Sequence, residues 1–275
     1  MNMSISIVKS DNPYVLDYIE GKDTMPALTR KNADFIEAVV RLDSNYAKDI
    51  LYNPPSDGYD PEMNVSDSGG KFCGSSEYWF KEMMKEPEYY RCLLGAVIAV
   101  DTTNSTHLEA CLNGRKTVCD IIYKCAPNVE SLIDKLNEPF NPNNKNHLIS
   151  LISKGLPAKG KVGLRYNISF ATKFCAYAAN SLDASERYSK YDDVVSDALP
   201  EYSKVYLNEP HRKSQYKIMQ HRQKKMNELE KHQYRLDVFG EYSDCIKRIL
   251  KKIDYVINRD ELDHIIWYAY KGDVK

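Results

Sequence analysis

Apolar residues recur at helical spacing along most of this chain and rarely alternate with polar ones. Within 28–52, Phe35, Val39 and Val40 share a helix face, so that segment reads as helix. Residues 53–76 are rich in Pro, Gly, Ser and Asp and read as a long loop. That loop divides an N-terminal extension, 1–76, from a main body, 77–275. The body opens with 77–100, broken or kinked at Pro87. Its "LLGAVIAV" run is either a buried helix or a short buried strand. Helices are predicted over 106–125, over 128–137 with Asn128 as N-cap, and over 147–156, ended by Gly155 and Pro157. A basic, Gly-containing connector covers 158–165. In 169–180, Phe170, Phe174, Tyr177 and Ala178 form one apolar stripe, with Lys173 at its edge. Asp192 or Asp193 is placed to cap a helix carrying Val194, Val195 and Ala198. A long basic helix is predicted over 211–236, broken at Gly240, with "CIKRILKKIDYVI" and the amphipathic "RDELDHIIWYAYKG" after it. The predicted fold class is predominantly α.

Composition narrows the partners. No stretch approaches the eighteen apolar residues that a membrane span needs. The opening "MNMSISIVKSDNPYVLDY" lacks the apolar core of a signal peptide, so a cytoplasmic location is expected. Seven cysteines, an odd number without a CxxC, argue against a disulfide framework or zinc site. The histidines at 107, 147, 211, 221, 232 and 264 lack ligand spacing, so no metal and no cofactor is expected. The net charge of −1 conceals an asymmetry, since 203–252 carries 13 Lys+Arg against 6 Asp+Glu. Six of those basic residues lie in 211–225 with no acid among them. Such a segment suits a polyanion, or else is a solvated face whose acids fold nearby. Tyrosine outnumbers phenylalanine 21 to 7, which fits stacking surfaces as well as half-buried helix positions.

No phosphate-binding GxxxxGK[ST] loop and no GxSxG elbow is present. What remains is Lys173 and, nineteen residues later, Asp192. Taken alone, a lysine at a helix rim is a solvated charge and an aspartate before "VVSDAL" is a cap. Taken together, "SFATKF" (169–174), "KYDDVV" (190–195) and "LDHIIW" (262–267) resemble the catalytic segment and closing helix of helix-hairpin-helix DNA glycosylases, in particular the 8-oxoguanine DNA glycosylase branch. In that family a lysine opens a helix and an aspartate nineteen residues on heads the next one. The likeness covers about a hundred residues and does not reach the first eighty. The family's hairpin glycines are missing, because Ser169 and Ala171 stand in their places.

The resemblance implies a glycosylase-like helical fold acting as a monomer on double-stranded DNA. It assigns the nucleophile to Lys173 and the charge-stabilising carboxylate to Asp192, with Asp193 as the rival. It places Ser169, Ala171 and Thr172 against DNA, with Lys159 and Lys161 supplying phosphate contacts in place of the missing glycines. Arg212 and Lys213 belong to the basic segment expected to follow the DNA backbone, and Asp263 and Trp267 to the closing helix beside the base pocket. The implied reaction is base excision after flipping, with strand cleavage at the abasic site able to follow. The excised base is not readable, and a role in defence against phage with modified DNA is an extension of the same chemistry. Two alternatives stay open: a DNA-binding module of this fold without catalysis, and an all-α protein that binds other proteins.

Overall fold

A computed structural model describes residues 5–12, 15–38, 76–85, 88–104, 106–210, 212 and 215–271. The described chain is predominantly helical. It divides into two compact units: Met1–Asp49, Tyr191–His221 and Glu241–Lys275 form unit 1, and Ile50–Lys190 with Arg222–Gly240 form unit 2. These divisions do not fall at residue 76, where the expected boundary loop itself lies outside the described residues.

Unit 1 begins with a small antiparallel sheet, β1 (Ile7–Val8), β2 (Tyr18–Ile19) and β3 (Lys22–Pro26), in the order β1-β2-β3. Helix α1, described over 30–38, follows. Asn32 locks the turn between them. Its amide donates to the carbonyls of Asp17 (2.8 Å) and Ala27 (2.7 Å), and its oxygen accepts the Asp17 N–H (2.8 Å). Tyrosines tie the sheet to α8 (Asp193–Leu207): Tyr202 donates to the Pro26 carbonyl at 3.0 Å, and the Leu28 N–H donates to the Tyr206 hydroxyl at 2.8 Å. Helix α10 (Arg259–Lys271) packs on α8 and β3. It opens with reciprocal bonds between Asn258 and Glu261 (2.7 and 3.0 Å).

Unit 2 holds α2 (Ser76–Met83), α3 (Tyr89–Thr103), α4 (Gly114–Cys125), α5 (Val129–Leu136), α6 (Leu148–Ile152) and α7 (Ile168–Ser181). "LLGAVIAV" is therefore helix, in α3. Gly95 allows α3 to close on α2, because a Cβ there would meet the Trp79 ring at 2.4 Å. The helix expected over 106–125 is interrupted. His107 and Asn113 adopt left-handed φ values of 61° and 51°, and a 3-10 turn at Leu108–Ala110 lies between them. Helix α6 stops at Ile152 instead of 156, and its continuation pairs as β4 (Leu156–Pro157) with β5 (Leu164–Arg165).

The long basic helix over 211–236 is not formed. Residues 212 and 215–227 are bends and a 3-10 turn, Gln220–Gln223. Tyr216 is buried, with its carbonyl accepting from the Tyr191 hydroxyl (3.2 Å), which itself accepts the Ile218 N–H (3.0 Å). The helix that does form, α9 (Glu228–Lys252), starts where Asn227 and Glu230 exchange cap bonds of 2.8 and 3.0 Å. It runs through Gly240 instead of ending there. Glycine costs roughly 1 kcal/mol within a helix, and a Cβ here would meet Pro142 only at an ordinary contact distance of 3.4 Å, so the helix on either side carries the chain through.

Two buried histidines set the acid sensitivity of unit 2. His147 caps α6, accepting the Ile149 N–H at Nδ1 (3.1 Å) while Nε2 donates to the Glu138 carbonyl (3.1 Å). Burial pushes its imidazole below the ordinary 6.5. His232, 3.0 Å from the Ser153 hydroxyl, is pushed down by burial and then by Lys145, Lys154 and Arg235. Both rings bind a proton less readily in the folded chain than in the unfolded one. Their contribution to stability is therefore fully present above about pH 6.5 and declines below it, by at most about 1.4 kcal/mol per pH unit for each ring. Thermal melts at neutral and acid pH should show this decline, with a shallower slope in His232→Gln.

Candidate functional site

Lys173 sits in the core of unit 2. Ten of the fourteen residues of α7 are buried, and a helix buried on nearly every face is a central one. The small side chains of Ala171, Ala176, Ala178 and Ala179 let its neighbours approach closely, and α2, α3, α5 and α6 all pack on it. Lys173 itself is only 9% exposed, so it lies deeper than the rim position read from the sequence. Phe170 stacks on Phe174 with centroids 5.9 Å apart, and Phe80 meets Phe174 edge-on at 5.4 Å. Tyr177, one turn on and on the same face as Lys173, donates to Asn104 Oδ1 at 3.0 Å. The Nζ of a second buried lysine, Lys190, lies 4.8 Å from the Tyr177 ring centre. Lys190 was missed in the sequence, although it stands two residues before Asp192.

Asp192 belongs to unit 1, where it is the N-cap of α8. Its carboxylate accepts the Val194 N–H at 2.8 Å, and its carbonyl accepts the Ser196 N–H at 2.9 Å. Asp193 is the first helical residue and is exposed. Tyr242 on α9 links Asp192 to the closing helix. Complete burial pushes its hydroxyl well above the usual tyrosine range, and the carboxylates of Asp263 and Asp192 push it further. A hydrogen bond with the Asp192 backbone acts in the opposite direction. Unit 1 thus gathers Asp192, Asp263 and Tyr242. Composition had counted Tyr242 only among 21 tyrosines, with nothing to single it out. Trp267, one turn beyond Asp263, is half-buried, with Tyr268 edge-on at 5.0 Å and Lys271 Nζ 4.0 Å from its ring centre.

The residues expected to meet DNA divide sharply. Ala171 and Thr172 are fully buried. The Ala171 N–H already donates to the Asn167 carbonyl at 2.9 Å, and the Thr172 hydroxyl to the Ser169 carbonyl at 3.1 Å. These two are therefore spent inside the helix, and the phosphate contact expected of them is withdrawn. Ser169, in the first turn, is half-buried. Lys159 and Lys161 are exposed on the turn of the β4–β5 hairpin, and Arg212 is exposed. Lys213 lies outside the described residues. No family model, curated protein or solved structure matches the chain. Among the described residues, no group of His, Cys, Asp or Glu is arranged to hold a metal ion, and no helix is long and apolar enough to cross a membrane.

The hairpin rests on a turn braced by one carboxylate. Leu112 N–H donates to the Pro157 carbonyl (2.9 Å) and Lys159 N–H to the Ala110 carbonyl (2.8 Å). Asp101, 1% exposed, holds that turn by accepting from Leu108 N (2.8 Å), Thr106 Oγ1 (2.7 Å) and Arg115 Nε (2.7 Å). Asp101→Ala leaves these donors unmatched and should cost roughly 3 kcal/mol. That lowers the melting temperature by about 6–12 °C, whereas Asp101→Asn, which keeps an acceptor, should cost less.

Proposed function

We propose that the chain is a DNA glycosylase with abasic-site lyase activity, with Lys173 as nucleophile and Asp192 as the carboxylate that stabilises positive charge on the sugar. The observation that carries this reading is the seat of Lys173. Lys173 is 9% exposed on a central helix whose neighbouring positions, Phe170, Phe174 and Tyr177, are aromatic, a setting that suits an amine working away from bulk water. The same lysine stands in the segment that resembles the glycosylase motif, and the aspartate nineteen residues on heads α8, as that motif requires.

The unprotonated Nζ attacks C1′ of a flipped nucleotide. The C1′–N bond breaks, and the base leaves with its electron pair and takes up a proton. The Nζ–C1′ adduct loses a proton, and the C1′–O4′ bond breaks with O4′ taking up a proton, giving an iminium between Nζ and C1′. Loss of a C2′ proton then expels the 3′ phosphate and cuts the strand; water releases the lysine.

Borohydride trapping tests the reading, because hydride reduces the iminium to a stable amine link. Duplexes containing 8-oxoguanine, an abasic site or hypermodified phage bases form the panel, with wild type beside Lys173→Ala. An adduct lost in the variant supports it. Absence of any adduct or base release across the panel favours the DNA-binding module without catalysis.

A further inference from the structure

Residues 139–182 contain six Lys or Arg and no Asp or Glu. Five of the six are exposed on unit 2: Lys145, Lys154, Lys159, Lys161 and Arg165. Their positions converge. Lys145 and Lys154 both act on His232, together with Arg235 of α9. The Arg235 guanidinium lies 4.4 Å from the Tyr166 ring centre, and the His232 ring stacks on that ring at 6.3 Å. Tyr166 directly follows Arg165 at the end of β5, so the hairpin is fastened into this basic patch. Two carboxylates lie nearby and both are engaged: Glu109 by His107 (3.0 Å) and Arg115 (3.9 Å), and Glu228 by the Tyr166 hydroxyl and Lys231 (2.6 Å).

The hairpin itself has an unusual end. Gly160 and Gly163 take φ values of 69° and 122°, where other residues are strained, so the shape of the turn is written into the sequence. These glycines leave only Lys161 and Val162 as side chains at the tip. Val162 is fully exposed, at 108%, and Leu164 (43%) and Leu112 (58%) stand exposed at its base. The base is fixed, since a Cβ on Gly155 would lie 2.9 Å from Leu164 Cβ. A narrow, shape-defined loop thus holds an apolar side chain in solvent between cations.

We propose that the 156–165 hairpin is a wedge for duplex DNA, with Val162 entering the minor groove against a base step while Lys159, Lys161 and Arg165 engage the flanking phosphates. It rests on the reading of the chain as a DNA enzyme and adds the element that opens the stack. Charge complementarity selects a polyanion. The tip selects a duplex over an acidic protein surface, because two glycines thin it toward the roughly 6 Å minor groove, and apolar side chains there unstack base steps.

The test uses the full chain and a duplex carrying a tetrahydrofuran abasic analogue beside 2-aminopurine. Binding is followed by anisotropy over a salt series, and unstacking by 2-aminopurine fluorescence. Wild type should raise the fluorescence, Val162→Leu should preserve the rise, and Val162→Gly should lose most of it while still binding. Lys159→Ala/Lys161→Ala should reduce the slope of log K against log salt by about 1.8, the equivalent of two phosphate contacts. If wild type binds but none of these variants alters fluorescence or slope, the wedge is overturned and the DNA reading stands. If wild type binds no duplex at any salt, both fall, and the basic patch serves an acidic protein.

Discussion

Lys173→Met is expected to abolish the borohydride-trapped adduct and to cut base release by on the order of 10³-fold or more, while the protein stays folded. Methionine has nearly the length of lysine and suits the same apolar surroundings. The position is 9% exposed, so a thioether of similar length keeps the space filled instead of opening a cavity. The protein should still melt cooperatively, with chemistry lost out of proportion to stability. A purely structural lysine behaves in the opposite way, because its loss strands the groups it served and lowers stability without touching chemistry. Lys173→Arg gives a second check. Its guanidinium is not available as a free amine at neutral pH, so the adduct should again be absent. An adduct that survives in the methionine variant would sink Lys173 as nucleophile. Lys190, the other buried lysine near Tyr177, would be examined next.

The parts of the fold that were legible in the sequence are those whose own residues carry the signal. Helix α7 shows its stripe at Phe170, Phe174 and Tyr177, and α5 shows its cap at Asn128, which accepts the Ser131 N–H at 2.9 Å. Asp192 was legible as a cap for the same reason, since the bond it makes reaches only two residues ahead. The rest depends on distant partners. Strands of two to five residues are too short to establish a period of two, so neither the N-terminal sheet nor the hairpin at 156–165 showed itself. Residues 211–225 contain good helix formers, yet Tyr216 is drawn into the core of unit 1 and Asn227 starts the helix later. Gly240 looked like a stop because its packing surface, Phe140 and Pro142, lies about a hundred residues earlier.

The candidate site follows the same rule. The identities of Lys173 and Asp192 were visible through spacing, but the depth of Lys173 was not. Helix α7 is enclosed by helices such as α2, whose Phe80 reaches Phe174 from some ninety residues away. Ala171 and Thr172 were misplaced by the same blindness. The motif aligned them with a loop that approaches a phosphate, whereas α7 begins at Ile168 and their backbone is already helical. The grouping of Asp263 and Asp192 around Tyr242 joins α8, α9 and α10, segments far apart in sequence, so no local pattern marks it.

Asp192→Asn separates the cap from the chemistry and should slow base release roughly 10²–10³-fold with little loss of stability. Asparagine is as good an N-cap as aspartate, and its side-chain oxygen can still accept the Val194 N–H. What the cap loses is the attraction of a negative charge to the start of α8, about 0.3–1 kcal/mol. Catalysis has no such substitute. As the base departs, positive charge builds on the sugar, and a neutral amide does not balance it. Asp192→Ala removes both functions and should cost about 1 kcal/mol in melting experiments besides the activity. The pair of variants therefore reads the two roles independently: stability follows the cap, and rate follows the charge. If Asp192→Asn releases base at the wild-type rate, Asp192 is a cap and nothing more. Asp193→Asn then decides whether the exposed first residue of α8 carries the charge instead. If that variant is also fully active, the nineteen-residue spacing from Lys173 is a coincidence of helix length, and the glycosylase reading loses its second residue.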